Sequence, residues 1–177
     1  MPNVNSAAPA ARLAGFNALG PADAEAELLT CCASRAFAHT VAALRPYRDL
    51  AQLTAAADAA VNGLAWSDVR EALEAHPRIG ERAGGTGRES AWSRQEQSGV
   101  DAAERAVLDG LAEGNLAYEE RFGHVYLICA TGLSAGEMLA RLRERLQNDE
   151  DTEREVVRAE LAKITRLRMA KLLGDQS

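Results

Sequence analysis

The stretch that decides the fold is residues 152–173, which read TEREVVRAELAKITRLRMAKLL. Its apolar side chains recur at steps of three and four residues, a spacing that places them on one face of an α-helix. Thr152 followed by Glu155 matches the capping box that opens a helix. We therefore expect a long amphipathic helix from Thr152 to about Leu173, which needs other elements to cover its apolar face.

The rest of the chain favours further helices over strands. Leu and Ala are abundant, and aromatic residues make up only 5% of the 177 residues. Asp23 is a candidate N-cap for an apolar stripe that continues to Phe37 and is closed by Pro46. Asp49, Ser67 and Ser134 are candidate starts of three more helices.

The middle of the chain contains its least helical segments. Residues 79–88 are rich in glycine and predict a surface loop, and a short helix is expected at 90–97. Asp101 with Glu104 predicts the start of a long helix. The only strand-like run, residues 125–130, has no evident partner strand and is expected to form a buried extended connector.

These elements together predict an all-α fold, a single compact domain of about seven or eight helices. Residues 1–12, rich in Ala, Pro, Asn and Ser, are expected to form a flexible N-terminal tail, and residues 13–177 the domain. Residues 1–12 lack the pattern of a signal peptide, and no apolar run in the chain approaches the length of a membrane span. A cytoplasmic protein is the expectation.

Composition argues against several classes of function. The formal charge of −6 disfavours nucleic acid and anionic membranes as partners. The cysteines fit buried thiols in a reducing compartment, and the histidines are too widely separated for a metal site; these residues are Cys31, Cys32, Cys129, His39, His76 and His124. No phosphate loop, nucleophile elbow or dinucleotide fingerprint is present.

Two single residues stand out as candidate functional groups. Arg168 lies in the middle of the apolar face of the last helix, where it must extend its charged end to solvent, pair with a buried carboxylate such as Glu160, or bind a ligand that needs a fixed cation. His76 precedes Pro77, which ends a helix and fixes the backbone direction. Imidazole exchanges protons near neutral pH, but a histidine at a helix end also serves simply as a cap or a packing residue.

A third candidate is the run SRQEQ at residues 93–97. On a helix, Ser93, Glu96 and Gln97 would present a hydroxyl, a carboxylate and an amide on one face. The same spacing fits a capping box in which Glu96 only satisfies a backbone N–H.

Several of these segments, taken together, resemble one family. The motifs occur in the order seen in the OHCU decarboxylases: HPRIG at 76–80, SRQEQ at 93–97, FG at 122–123, LICATG at 127–132, and KI at 163–164 followed by LRM at 167–169. OHCU is 2-oxo-4-hydroxy-4-carboxy-5-ureidoimidazoline. The resemblance extends from about Phe16 to Leu173 and departs modestly at 124–126 and Met169.

The resemblance implies a carboxy-lyase that forms S-allantoin and CO2 from OHCU without a cofactor or a metal, as the last step of urate oxidation in purine catabolism. It implies a homodimer working with urate oxidase and hydroxyisourate hydrolase. It assigns acid–base catalysis to His76 with Glu96, and the pocket lining to Pro77, Ser93 and Gln97. Backbone groups of Ile128 and Cys129 would bind the substrate ring, and Arg168 its carboxylate or a ring oxygen.

Three other interpretations stay open at this point. A hydrolase acting on a neighbouring intermediate of ureide breakdown would use the same pocket but release no CO2. A non-catalytic helical interaction module would give His76 and Arg168 structural roles. A helix-turn-helix DNA-binding protein is disfavoured by the acidic composition.

Overall fold

A computed structural model describes residues 4–80 and 105–174 of the chain. Within these ranges it contains eight α-helices and no β-strand, which confirms the all-α class. The helices are α1 (Val4–Ala18), α2 (Pro21–Leu29), α3 (Arg35–Ala43), α4 (Leu50–Asn62), α5 (Trp66–Glu74), α6 (Arg105–Phe122), α7 (Ala135–Arg145) and α8 (Glu150–Leu173). None of these helices is both long and apolar enough to cross a membrane.

Contacts along the chain define two compact units. The first unit comprises Met1–Val69 with Ala162–Ser177, and the second unit comprises Arg70–Leu161. The division into a flexible tail at 1–12 and a domain at 13–177 stays a prediction, although α1 already begins at Val4. The Gly-rich loop beyond Gly80, the short helix at 90–97 and the helix start at Asp101 lie outside the described residues.

The first unit corrects the prediction of one helix running from Asp23 to Phe37. Its helix α2 begins at Pro21, which is favoured at the first helical position, and ends at Leu29. Helix α3 then starts after Ser34, whose buried hydroxyl accepts a hydrogen bond from the Phe37 N–H at 3.2 Å. Both helices bury apolar residues, so the stripe continues across a break that the spacing alone does not reveal.

Of the four other predicted helix starts within the described residues, two hold and two fail. Asp49 caps α4 by accepting from the Gln52 N–H at 2.8 Å, and Ser134 forms a complete capping box at the start of α7. Ser67 is inside α5, which begins one residue earlier. Thr152 is inside α8, because Asp149 accepts from the Thr152 N–H at 2.7 Å and so takes the capping position.

The second unit has an apolar core formed by α6, α7 and the 125–130 connector. The connector has no regular secondary structure and is largely buried, as expected. The core residues are Ile79, Leu111, Tyr118, Tyr126, Ile128, Ala130, Ala135, Met138, Leu139 and Leu142. This core fixes the connector and the segment after α5 in place, and both carry predicted site residues.

Candidate active site

His76 lies just beyond the end of α5. Its backbone N–H donates to the carbonyl of Leu73 at 3.0 Å, which closes the last turn, and Pro77 then directs the chain away from the helix. The half-buried His76 side chain lines a cavity of about 390 Å³ in the second unit. The cavity is lined by Arg70, Leu73, Glu74, His76, Pro77, Arg78, Glu119, Gly123, His124 and Val125. His76 therefore belongs to the wall of a cavity rich in polar and charged groups.

The segment after Pro77 is fixed by two side chains of α6. Arg78 forms an ion pair with Glu119, with Nε 3.0 Å from both carboxylate oxygens and a terminal guanidinium nitrogen 2.9 Å from one of them. The Asn115 amide donates to the carbonyl of Ile79 at 2.9 Å. Gly80 follows with φ +94°, in the left-handed region that glycine adopts without strain.

A second histidine lines the same cavity. His124 packs against the Tyr118 ring edge-to-face at 5.5 Å and stacks on Phe122 at 6.3 Å. Its Nδ1 lies 3.0 Å from the carbonyl of Val125, which selects the tautomer with hydrogen on Nδ1 because a carbonyl only accepts. Burial lowers the pKa of His124, so its ring is held neutral at physiological pH.

The 125–130 connector carries the predicted residues Ile128 and Cys129. The Cys129 N–H donates to the carboxylate of Glu160 on α8 at 2.8 Å. The carbonyl of Leu127 accepts from the Arg145 guanidinium on α7 at 2.7 Å. Within the described residues, buried charged side chains instead of a neighbouring strand therefore hold this irregular backbone.

Arg145 also belongs to a buried network centred on Glu153. The Glu153 carboxylate accepts from the Arg145 Nε at 2.7 Å, the Tyr118 hydroxyl at 2.5 Å and the Asn148 amide at 3.0 Å. The Arg145 guanidinium lies 4.8 Å from the centre of the Tyr126 ring. Burial and the bond to Glu153 raise the pKa of Tyr118, so its hydroxyl stays a donor.

The remaining predicted residues are Arg168 and three residues of the SRQEQ run. Arg168 is on α8, in the part that belongs to the first unit, and its side chain is fully buried at 0% exposure, which rules out the alternative that it extends to solvent. Ser93, Glu96 and Gln97 lie outside the described residues. The second unit thus brings His76 and Pro77 to one cavity, and it places Ile128 and Cys129 on the connector.

Sequence reasoning missed the residues that support these groups. Asn115, Glu119 and Glu153 are polar residues in helices, where the spacing pattern alone indicates a solvent-exposed face. Asn115 and Glu153 are nevertheless buried, at 2% and 0% exposure. Within the described residues, no group of three or more His, Cys, Asp and Glu side chains is arranged to hold a metal ion.

Comparison with known proteins identifies the family of the chain. A model of the OHCU decarboxylase family matches residues 17–170, most of the chain. The chain belongs to the OHCU decarboxylase family. That match includes every residue for which the sequence predicted a role in the site, from His76 to Arg168.

Individual relatives agree with this assignment. The uric acid degradation bifunctional protein TTL of Arabidopsis thaliana is 36% identical over 156 residues, which cover 86% of this chain and 48% of that protein. The chain thus spans about half the length of that bifunctional relative. The 2-oxo-4-hydroxy-4-carboxy-5-ureidoimidazoline decarboxylase of Amia calva is 31% identical over 134 residues, covering 73% of this chain and 75% of that protein.

A solved structure supports the family fold as well. A crystal structure of OHCU decarboxylase in the presence of (S)-allantoin superposes with a TM-score of 0.73 and 34% sequence identity. The superposition covers 84% of this chain and 98% of that one. The family predicted from HPRIG, SRQEQ and the later motifs is therefore confirmed.

Proposed function

We propose that this chain decarboxylates OHCU to S-allantoin and CO2 as the last step of urate oxidation. The observation that carries the proposal is the family match over residues 17–170, within which His76 lines a polar cavity. The carboxy-lyase class predicted from the sequence follows from membership in the family. Neither a hydrolase nor an interaction module accounts for the match as well.

The reaction needs little chemistry from the protein. When the bond to the carboxylate breaks and CO2 leaves, its electron pair passes into the adjacent C=N bond of OHCU. The substrate therefore carries its own electron sink. The protein must orient the carboxylate, move the neighbouring hydroxyl proton and deliver a proton to one face, so that a single enantiomer forms.

We assign the proton transfer at the hydroxyl to His76, with Glu96 as its polar partner. Two features support His76: the residue lines the cavity, and its backbone is fixed on both sides, by α5 and by Pro77. The role of Glu96 rests on the family resemblance, as do the pocket-lining roles of Pro77, Ser93 and Gln97.

We assign to Arg168 the binding of the substrate carboxylate or of a ring oxygen. A guanidinium is charged at every physiological pH and binds a carboxylate through two parallel hydrogen bonds. The position of Arg168 supports this role, since its side chain is completely buried and a guanidinium inside a protein suits recognition of an anionic group. In this proposal the substrate ring hydrogen-bonds to backbone groups of Ile128 and Cys129 other than the Cys129 N–H, which already donates to Glu160.

Circular dichroism of freshly prepared OHCU tests the reaction. We expect the chain to accelerate the formation of optically active allantoin and the release of CO2. Racemic product formed at the uncatalysed rate would exclude the decarboxylase activity. CO2 measured in the same samples separates decarboxylation from hydrolysis, which would consume OHCU without releasing gas.

His76→Ala tests the catalytic assignment. We expect turnover to fall to background while the melting temperature stays near that of the parent, because a half-buried side chain at a helix end contributes little to the core. His39→Ala is the matched control, since the His39 side chain is 76% exposed and pairs with Glu25 on the surface. Near-parental turnover by folded His76→Ala would remove His76 from the mechanism.

Arg168→Gln tests the binding assignment. We expect a higher KM for OHCU with a smaller change in kcat, because the carboxylate is bound in both the ground state and the transition state. Arg166→Gln, two residues earlier on α8 and with a side chain 61% exposed, is the control. An unchanged KM in a folded Arg168→Gln protein would contradict the assignment.

We further propose that the chain is a cytoplasmic homodimer whose substrate comes from urate oxidase and hydroxyisourate hydrolase. The bifunctional relative that acts in uric acid degradation supports coupling to the same pathway. Light scattering on the purified chain measures the mass directly, and a monomer would contradict the dimer. Adding the two upstream enzymes and urate should give S-allantoin without isolated OHCU.

A further inference from the structure

The residues immediately after His76 and Pro77 are attached to α6 at two consecutive positions. Arg78 contacts Glu119, and the carbonyl of Ile79 contacts Asn115. Asn115 and Glu119 are four residues apart, so they occupy neighbouring positions on one face of α6. One helix face thus fixes both the side chain and the main chain of the segment that positions His76.

The contact to Asn115 is buried. Asn115 is 2% exposed and Ile79 is 7% exposed, and Ile79 belongs to the core of the second unit. The Ile79 carbonyl lies outside regular secondary structure, and a buried carbonyl needs a hydrogen-bond donor. The Asn115 amide supplies this donor at 2.9 Å, so it determines the direction of the backbone three residues after His76.

The contact to Glu119 fixes the orientation of the Arg78 guanidinium. The Arg78 Nε and a terminal nitrogen both approach the Glu119 carboxylate at about 3 Å, which holds the planar guanidinium against the carboxylate. Both side chains are partly exposed, at 41% and 25%, and both line the cavity. The pair therefore joins the segment to α6 at the cavity wall.

We propose that Asn115 and Glu119 are positioning residues for His76 in the decarboxylation. This inference rests on the proposed function. Asn115 holds the main chain at Ile79, Glu119 holds Arg78, and Pro77 has a restricted backbone, so these contacts direct the imidazole into the cavity. Neither residue exchanges a proton with substrate; each acts through the segment that carries His76.

Steady-state kinetics on two single variants test the proposal. For Asn115→Leu, which keeps the size of the side chain but removes the donor, we expect kcat to fall about 100-fold, the effect of misplacing a catalytic group by roughly 1 Å. For Glu119→Ala we expect a smaller fall, about three- to tenfold, because the pair is partly exposed. In both, KM should stay within about threefold, since the substrate-binding groups are unchanged.

The matched control is Glu150→Gln, which alters an exposed ion pair with Arg154 on α8 away from the cavity lining and should leave kcat at the parental value. Glu119→Gln keeps an oxygen that accepts from Arg78 and should recover part of the lost kcat. The double variant Arg78→Ala/Glu119→Ala should lose no more kcat than the more impaired of the single variants Arg78→Ala and Glu119→Ala, because each single change already removes the same contact.

The outcomes separate clearly. Parental kcat in folded Glu119→Ala and folded Asn115→Leu, with only the melting temperature lowered, would overturn the proposal. If Asn115→Leu does not fold, Glu119→Ala and the double variant decide, and fully additive losses would exclude action through the Arg78 contact. A parental chain that does not turn over OHCU would instead refute the proposed function, and with it this inference.

Discussion

Replacing Glu153 by glutamine tests the buried charge network of the second unit. The Arg145 and Glu153 side chains are only 8% and 1% exposed, and the carboxylate accepts hydrogen bonds from Arg145, Tyr118 and Asn148. Glutamine keeps the shape of the side chain but removes its charge. The guanidinium of Arg145 then stays buried without an anionic partner.

The contacts set the size of the expected effect. A hydrogen bond to a charged group contributes about 1.5–3 kcal/mol, and the bonds to Glu153 share one carboxylate, so their contributions do not simply add. Breaking a buried ion pair by removing one partner costs about 3–5 kcal/mol. We expect Glu153→Gln to lose about 3–5 kcal/mol of the free energy of unfolding, a large share of the roughly 5–15 kcal/mol of an ordinary domain.

Urea denaturation followed by far-ultraviolet circular dichroism measures this loss. With a slope of about 2–3 kcal/mol per molar urea, the midpoint should fall by roughly 1–2.5 M. Glu150→Gln, which alters the exposed pair with Arg154 on the same helix, should shift it far less. Arg145→Met/Glu153→Leu leaves no buried charge, but it also removes the partners of the Leu127 carbonyl and the Tyr118 hydroxyl, so it should recover only part of the loss.

Two results would refute the reasoning. A midpoint shift below roughly 0.5 M for Glu153→Gln would mean that solvent already screens the pair. A double variant as unstable as the sum of its single variants would mean that Arg145 and Glu153 do not act on stability through each other.

Three other properties can be measured on the same protein. Gly114→Ala should lower the free energy of unfolding by about 1–3 kcal/mol in a urea titration, because the added Cβ would lie 2.4 Å from a methyl of buried Leu142. Gly15→Ala has open space at its Cβ and should raise the free energy of unfolding by about 0.5–1 kcal/mol. Ser34→Ala should lose about 1 kcal/mol through the lost cap of α3. Burial raises the native pKa of Tyr47, Tyr118 and Tyr126, whereas the same tyrosines ionise near pH 10 in the unfolded chain. The free energy of unfolding should therefore fall as pH rises above about 10. Phenolate absorbance should appear only when the protein unfolds.

The helices were predictable where a local signal determines them. The apolar spacing in α8 was enough to place its end at Leu173, whereas the burial of Arg168 could be decided only by the structure. Ser134 with Glu137 formed the predicted capping box, since both partners lie within one turn. The break between α2 and α3 was missed because the apolar stripe is equally satisfied by one helix or two, and only the cap at Ser34 distinguishes them.

The candidate site was predictable only in part, for a different physical reason. Pro77 ends a helix locally, so the place of His76 at a helix end could be read from the sequence. The partners of its segment, Asn115 and Glu119, are separated from Ile79 and Arg78 by 36 and 41 residues. Their spacing in α6 indicates an ordinary polar face, and only the tertiary fold shows that the face is covered.

The 125–130 connector explains why the second unit needs its buried charges. Its backbone has no regular secondary structure and is largely buried, and within the described residues no strand lies beside it to pair with its N–H and carbonyl groups. Each buried backbone group without a partner would cost free energy comparable to a lost hydrogen bond. Arg145 satisfies the Leu127 carbonyl and Glu160 satisfies the Cys129 N–H.

Those two side chains perform a task that a neighbouring strand performs in a sheet. They pair with the connector only at selected groups, whereas a strand would engage the backbone groups along an entire edge. Backbone groups of Ile128 lie between these two contacts, and the proposed function assigns them to the substrate ring. Within the described residues, the buried arginine and glutamate thus satisfy connector groups that a sheet would satisfy with a strand.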